Sequence, residues 1–154
     1  MEEKICCFFG HRRIEEKEEL FERIIKEVED LITNKGVNVF LFGGYGEFDW
    51  LCYEAVTVLL QKNPAIKRIF CYADEKEFLR LKRRGHIKEK YEEYRFLSLD
   101  YNYWYTRVYY RNCEMINMSD IIIFYAKNTE GSGAYKVLRY AISKKKVFKN
   151  LAKE

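Results

Sequence analysis

Short, unbroken apolar runs alternate along this chain with longer stretches in which apolar residues return every three or four positions. The first pattern predicts buried strands and the second predicts amphipathic helices. Residues 5–9 (I-C-C-F-F) form the first run, closed by Gly10. From 15 to 34, Phe21, Ile24, Ile25, Val28, Leu31 and Ile32 mark one stripe of a helix whose Glu and Lys residues face solvent, and Lys35-Gly36 supplies its stop. Residues 37–42 predict a second strand. Phe48, Leu51, Cys52, Ala55, Val56, Leu59 and Leu60 then mark a second helix with a wide apolar face. The only proline, Pro64, follows it, and 66–72 (I-K-R-I-F-C-Y) reads as a third strand.

Between 73 and 110 neither rhythm is sustained. Residues 75–84 suit a short helix, while 88–95 are charged and rich in tyrosine. A stretch this long between core elements is expected to pass over a sheet edge or over the site rather than to be filler. Regular patterning resumes with a helix over about 106–118, packing Val108, Met115 and Ile116. The β-branched run 120–125 (D-I-I-I-F-Y) follows and suits a sheet centre. A helix from 134 to 144, with Val137, Leu138, Ala141 and Ile142 inward, and a short last strand opening at Val147-Phe148 complete the chain. This order predicts an α/β fold: a doubly wound, mainly parallel sheet of about five strands flanked by helices, in one domain over 1–154 with an excursion at about 73–105.

At 154 residues the chain can bury a sizeable core without a second domain. With 28 basic and 24 acidic residues, its net charge of +4 does not by itself argue for nucleic acid. Cys6, Cys7, Cys52, Cys71 and Cys113 show no metal-ligand spacing with histidine, and several fall within apolar runs. They read as small core side chains in a reducing cytoplasm, with neither disulfide nor metal site expected. No charged-then-apolar leader and no apolar run of spanning length occurs, so no membrane partner is expected. Aromatic residues make up 17% of the chain and concentrate between Tyr91 and Tyr110, around Trp104. That cluster reads first as core or as the contact of a homo-oligomer. Its second reading is a stacking surface for bases near Lys82, Arg83, Arg84 and Lys88.

In a doubly wound sheet the ligand sits beyond the carboxyl ends of the strands, where the winding reverses. Three loops are expected there. Gly10-His11-Arg12-Arg13 brings a histidine and two arginines, the better bidentate partners for a phosphoryl group. Gly43, Gly44 and Gly46 join a strand to a helix, where bare backbone N–H groups and a helix start favour an anion, although the same glycines also make good turn chemistry. Gly131, Ser132 and Gly133 repeat that arrangement before the last helix. Arg12 and Arg13 read equally as surface charges, and His11 equally as a structural residue. Glu47 is placed as a helix-dipole partner, whereas Asp49 suits a ribose hydroxyl or a general base. Arg111 either pairs with Glu114 or Asp120 or reaches the pocket, with Asn112 beside it. The glycine spacing is not the G-x-G-x-x-G fingerprint, and Ser132 lacks triad partners, so neither hydride transfer nor a serine nucleophile is inferred.

Taken together, Phe8-Phe9-Gly10-His11-Arg12, Phe42-Gly43-Gly44-Tyr45-Gly46-Glu47-Phe48-Asp49, Arg111-Asn112-Cys113-Glu114-Met115-Ile116 with Ser119-Asp120, Gly131-Ser132-Gly133-Ala134 and Asn150-Leu151 resemble an uncharacterised bacterial branch of the SLOG superfamily. Its members include DNA-processing protein A domains, YpsA-like proteins and the "lonely guy" phosphoribohydrolases. The resemblance covers nearly the whole chain, except about 73–105, where related sequences carry prolines that this one lacks. It implies a Rossmann-like sheet and a nucleotide or nucleotide-derived ligand, held in a sensing role. Catalysis is not implied. The phosphoribohydrolases carry Arg-Lys-x-x-Met, then Pro-Gly-Gly-x-Gly-Thr and a catalytic glutamate. This chain matches the first and last residues of the former at Arg111 and Met115, but has Asn112 between them and Lys136-Val137 where the glutamate falls.

The leading expectation is therefore a cytoplasmic module that binds or senses a nucleotide-type small molecule, ADP-ribose-like species included. It needs no further cofactor, and its ligand contacts come from Gly10, His11, Arg12, Gly43, Gly44, Gly46, Asp49, Arg111, Asn112, Gly131, Ser132 and Gly133. The alternatives are N-glycosidic cleavage of a nucleotide, with Asp49 as the only candidate carboxylate, and single-stranded nucleic-acid binding.

Overall fold

Each apolar run becomes a strand in the computed structural model of the protein, which describes residues 2–87, 90–99, 106–128 and 132–152. The strands are β1 (Ile5–Gly10), β2 (Val39–Phe42), β3 (Lys67–Tyr72), β4 (Glu93–Phe96), β5 (Ile121–Tyr125) and β6 (Val147–Asn150). They form one sheet in the order β4-β3-β2-β1-β5-β6, with every neighbouring pair parallel. The connecting helices are α1 (Lys17–Lys35), α2 (Glu47–Leu60), α3 (Glu75–Arg83), α4 (Arg107–Met118) and α5 (Gly133–Ser143). The chain winds outward from β1 to β4, then returns to the far side of β1 as β5 and β6. This is a Rossmann-like doubly wound fold, and its winding reverses between β1 and β5.

Period-two alternation divides the core between two faces. Cys6 and Phe8 of β1 meet Ile24, Val28, Phe48 and Val56 of α1 and α2, while Cys7 and Phe9 meet Met115, Ile116, Val137 and Ala141 of α4 and α5. The five cysteines are buried free thiols, and burial pushes the Cys6, Cys7, Cys52 and Cys71 thiols well up, as expected of core side chains. α1 ends where Lys35-Gly36 predicts. Gly36 adopts φ 72° and donates its N–H to Leu31 O, a left-handed cap that suits glycine.

Two expectations change. The sheet has six strands rather than about five, because β4 lies inside the stretch where no pattern is sustained. Within that stretch α3 does form, and its N-cap Asp74 accepts hydrogen bonds from the backbone N–H groups of Lys76 and Glu77. Ile142, expected inward, is 54% exposed, and α5 buries Val137, Leu138 and Ala141 alone. Trp104 lies outside the described residues. Tyr91 is core, its ring packed against Phe42, Tyr53 and Phe70.

An ion pair with its arginine buried fastens the excursion to the sheet. Arg68 of β3 is 2% exposed, and its guanidinium donates to both carboxylate oxygens of Glu92 at 2.9 and 2.6 Å and to Thr57 Oγ1 at 3.0 Å. The backbone reinforces it: Arg68 N–H donates to Glu92 Oε1 and Glu92 N–H to Arg68 O, each at 2.9 Å. Burial alone would raise the Glu92 pKa, but the hydrogen bonds and charge of Arg68 outweigh it and hold the carboxyl below its ordinary value. This pair delivers β4 to the edge of the sheet.

Candidate functional site

The carboxyl ends of β1, β2 and β5 converge at the reversal of the winding, and α4 and α5 close the opening from one face. Between them lies a cleft of about 320 Å³, floored by Phe8 and Phe9. Gly10, His11 and Arg12 line it from β1, Gly43 and Asp49 from the β2–α2 turn, Arg111 and Asn112 from α4, and Ser132 and Gly133 from the start of α5. Gly44 and Gly46 lie on the other side of the β2 turn, in a shallower depression with Trp50 and His86. Arg12 and Asp49 border both spaces. Gly131 lies outside the described residues.

The β2 turn is built around close approaches. A Cβ on Gly10 would run into the Phe48 ring, and one on Gly43 into the Arg111 guanidinium. Gly44 and Gly46 stand at φ 80° and 94°, in the left-handed region, and a Cβ on Gly46 would lie 2.8 Å from Arg12 Cα. The turn's N–H groups, expected to face a phosphate, meet an internal anion instead. Asp49, 8% exposed, accepts the N–H of Gly43 at 3.4 Å and of Gly44 at 3.2 Å through its two carboxylate oxygens. A carboxylate from the first turn of α2 thus folds back over its own turn.

Arg111 is a brace for the same turn. At 7% exposure it donates to Gly43 O at 3.1 Å and to Asn112 Oδ1 at 2.7 and 3.2 Å, and the Tyr45 ring covers it with its centroid 5.3 Å from Cζ. Neither expected acidic partner takes this role, and Asp120 accepts the Ile5 N–H at 2.8 Å. Tyr45 in turn donates its hydroxyl to Glu77 of α3. Tyr45 and Val108 are lining residues that the sequence reading missed. The one available signal was Tyr45 itself, a large ring between glycines.

At β1, Lys127 N–H donates to His11 Nε2 at 2.7 Å, and the imidazole meets the Tyr125 ring edge-on. Burial lowers the His11 pKa and the charge of Lys127 lowers it further, which favours the neutral ring, and the N–H donated to Nε2 leaves that ring's proton on Nδ1. Glu47 ties the β1 loop to α2. It accepts the Ile14 N–H at 2.9 Å, pairs with Lys17, and donates its own N–H to Arg12 O at 2.9 Å. Arg12, held by its backbone, leaves an exposed guanidinium at the rim. Ser132 is the N-cap of α5, its Oγ accepting the Tyr135 N–H at 3.2 Å. The first N–H groups of a helix have no intrahelical partner, so those of Gly133 and Ala134 are open to a ligand at the cleft wall.

Fold and cleft define a doubly wound α/β protein with a cleft of mixed polar and apolar lining at its switch point. Among solved structures the chain is similar to DNA processing protein A from Helicobacter pylori, which binds single-stranded DNA. The TM-score is 0.55 at 17% identity, over 94% of this chain and 63% of that protein. The chain therefore spans less than two thirds of that protein's length, and the likeness is one of fold. No family model matches the chain, and no curated protein matches it. Among the described residues no helix is long and apolar enough to cross a membrane.

Proposed function

We propose that the cleft binds a nucleotide or a nucleotide-derived small molecule, with a phosphate group at the start of α5 against Arg12 and the nucleoside directed toward Tyr45 and Val108. One observation carries this reading: the β1 loop, the β2 turn, α4 and the first turn of α5 open into a single cleft of about 320 Å³ at the reversal of the winding. The α5 terminus offers a partial positive charge and unpaired N–H groups, and Arg12 adds an exposed cation. The motif resemblance to the SLOG superfamily supports the same reading, with ADP-ribose-like species among the candidates. The residues present favour binding over turnover. Lys136-Val137 stands where the hydrolase relatives carry glutamate, and Asp49 already accepts two hydrogen bonds from its own turn.

The test is mass spectrometry of small molecules that co-purify with the protein, followed by thermal-shift titration of each candidate. A true ligand raises Tm in a saturable way, and Arg12→Ala removes the rise while leaving the unliganded Tm unchanged. A nucleotide panel that gives no shift at millimolar concentration would sink the proposal. Release of free base from any panel member would instead establish the hydrolase.

Single-stranded DNA is the second reading, supported by the shared fold and by Arg12, Arg13 and Lys127 around the β1 and β5 loops. It requires affinity that falls steeply with salt. Undetectable binding at low salt would remove it.

A further inference from the structure

β4 lies at one edge of the sheet, and among the described residues nothing pairs with its outer side. The ladder to β3 fixes which of its backbone groups face outward. Leu97 N–H donates to Tyr72 O in the register that sets Phe70 beside Tyr94, and along a strand alternate residues turn their N–H and C=O to opposite edges, so Glu93 and Arg95 turn theirs to β3 while Tyr94 and Phe96 present theirs outward. The side chains alternate as well. Glu93 and Arg95 lie beside Ile69 and Cys71 on the α4–α5 face, while Tyr94 and Phe96 lie on the other face against Phe70, Tyr72 and Phe78.

A second copy adding antiparallel to this edge about a two-fold axis must bring outward groups to outward groups. Setting Glu93 opposite the partner's Glu93, or Arg95 opposite the partner's Arg95, places like charges face to face and is destabilising. The remaining central register sets each Glu93 opposite the partner's Arg95, with Tyr94 on the axis. The strand is self-complementary in charge in that register alone. Arg95 Nε already lies 2.6 Å from Glu93 Oε2 within one chain, with Glu3 Oε2 3.5 Å from its Nη2, so the two groups share a face and can exchange partners across the axis. Apolar surface beside the edge gives the contact something to cover: Phe96 is 52% exposed and Leu79 of α3 is 50% exposed. The opposite edge, β6, is protected. Lys144, Lys145 and Lys146 precede it and Lys149, paired with Glu27, lies within it.

We propose that β4 is a homodimerisation edge, through which two chains join their six-stranded sheets antiparallel. Reciprocal Glu93–Arg95 ion pairs lie on one face, and on the other a Tyr94 pair is flanked diagonally by Phe96 of each chain. Because the strands of the two copies run in opposite directions, the two clefts open at opposite ends of the joined sheet. The proposal does not rest on what the cleft binds.

Sedimentation velocity over rising protein concentration tests it. The wild-type chain is expected to reach twice its monomer mass. Glu93→Arg and Arg95→Glu, each checked for folding by circular dichroism, are expected to stay monomeric alone and to form a heterodimer when mixed, since an all-arginine edge then meets an all-glutamate one. Tyr94→Cys provides a readout independent of charge. The axis position is a hydrogen-bonded pair with Cα atoms about 5.5 Å apart, within disulfide reach, and the native cysteines are buried. Oxidation is expected to give a covalent dimer. The proposal is overturned by a wild-type chain that stays monomeric at every concentration, by a dimer that both charge reversals leave intact, by folded variants that do not associate on mixing, or by a Tyr94→Cys chain that does not cross-link.

Discussion

At Gly46 the backbone stands at φ 94°, and the space where a side chain would begin is closed by Arg12 Cα. Gly46→Ala is therefore expected to cost about 1–3 kcal/mol, read as a lower urea midpoint with unchanged slope. His11 carries a different signature. Its neutral form is favoured in the folded protein, first by burial, then by Lys127, and the Lys127 N–H on Nε2 acts in the same direction. The unfolded chain takes up this proton near pH 6.5. Stability from this group is thus complete above that pH and falls as the pH drops below it, until the folded ring is protonated as well. Urea midpoints of the wild type and His11→Gln, measured between pH 8 and pH 5, are expected to diverge least at the acid end, with the wild type showing the steeper decline. Such roles are only partly visible in sequence. Glycines at 43, 44 and 46 announce a turn, but that its N–H groups would meet Asp49 depends on α2 folding back, which composition does not encode.

Among the elements, β4 was the one the sequence concealed. Its four residues alternate charge and aromatic ring, half-buried and exposed, without the apolar run that betrays a central strand. What makes it a strand is its neighbour: Arg68 sits inside β3, buried, and its guanidinium and backbone both bind Glu92 just before β4 begins. Arg68→Ala is expected to destabilise the fold by about 2–4 kcal/mol, below the loss for a fully enclosed pair because Glu92 keeps some contact with water. Amide exchange should show the loss concentrated in β4, with β1 and β5 still protected. Equal loosening of all strands would mean that the pair supports the core at large rather than the edge. By contrast β1, β2 and β5 are continuous apolar stretches, β3 is apolar from Ile69 onward, and α1, α2 and α4 carry unmistakable stripes.

For the whole molecule, the reversal of winding between β1 and β5 makes the cleft, and ligand binding there is expected to stabilise every element at once. A saturating ligand should raise Tm, and Gly133→Pro, which removes one N–H from the first turn of α5 without breaking the helix, should weaken that rise. An unchanged rise would move the phosphate away from α5. Should single-stranded DNA also bind, its affinity is expected to fall by orders of magnitude between low and physiological salt, whereas a small nucleotide should respond far less.

The alternation of apolar runs and stripes determined by itself that this chain would be a doubly wound α/β protein, because burial of both faces of a parallel sheet forces that pattern on the sequence. It also marked the loops that reach the carboxyl ends of the strands, since glycine and short polar residues are needed wherever a strand turns into a helix. Only the tertiary structure decided how those loops use their groups. Asp49 engages the N–H groups of Gly43 and Gly44, Arg111 braces Gly43, and the donors left open lie at the start of α5. These are contacts between residues distant in the chain, fixed by packing rather than by any local preference, and so no window of sequence contains them.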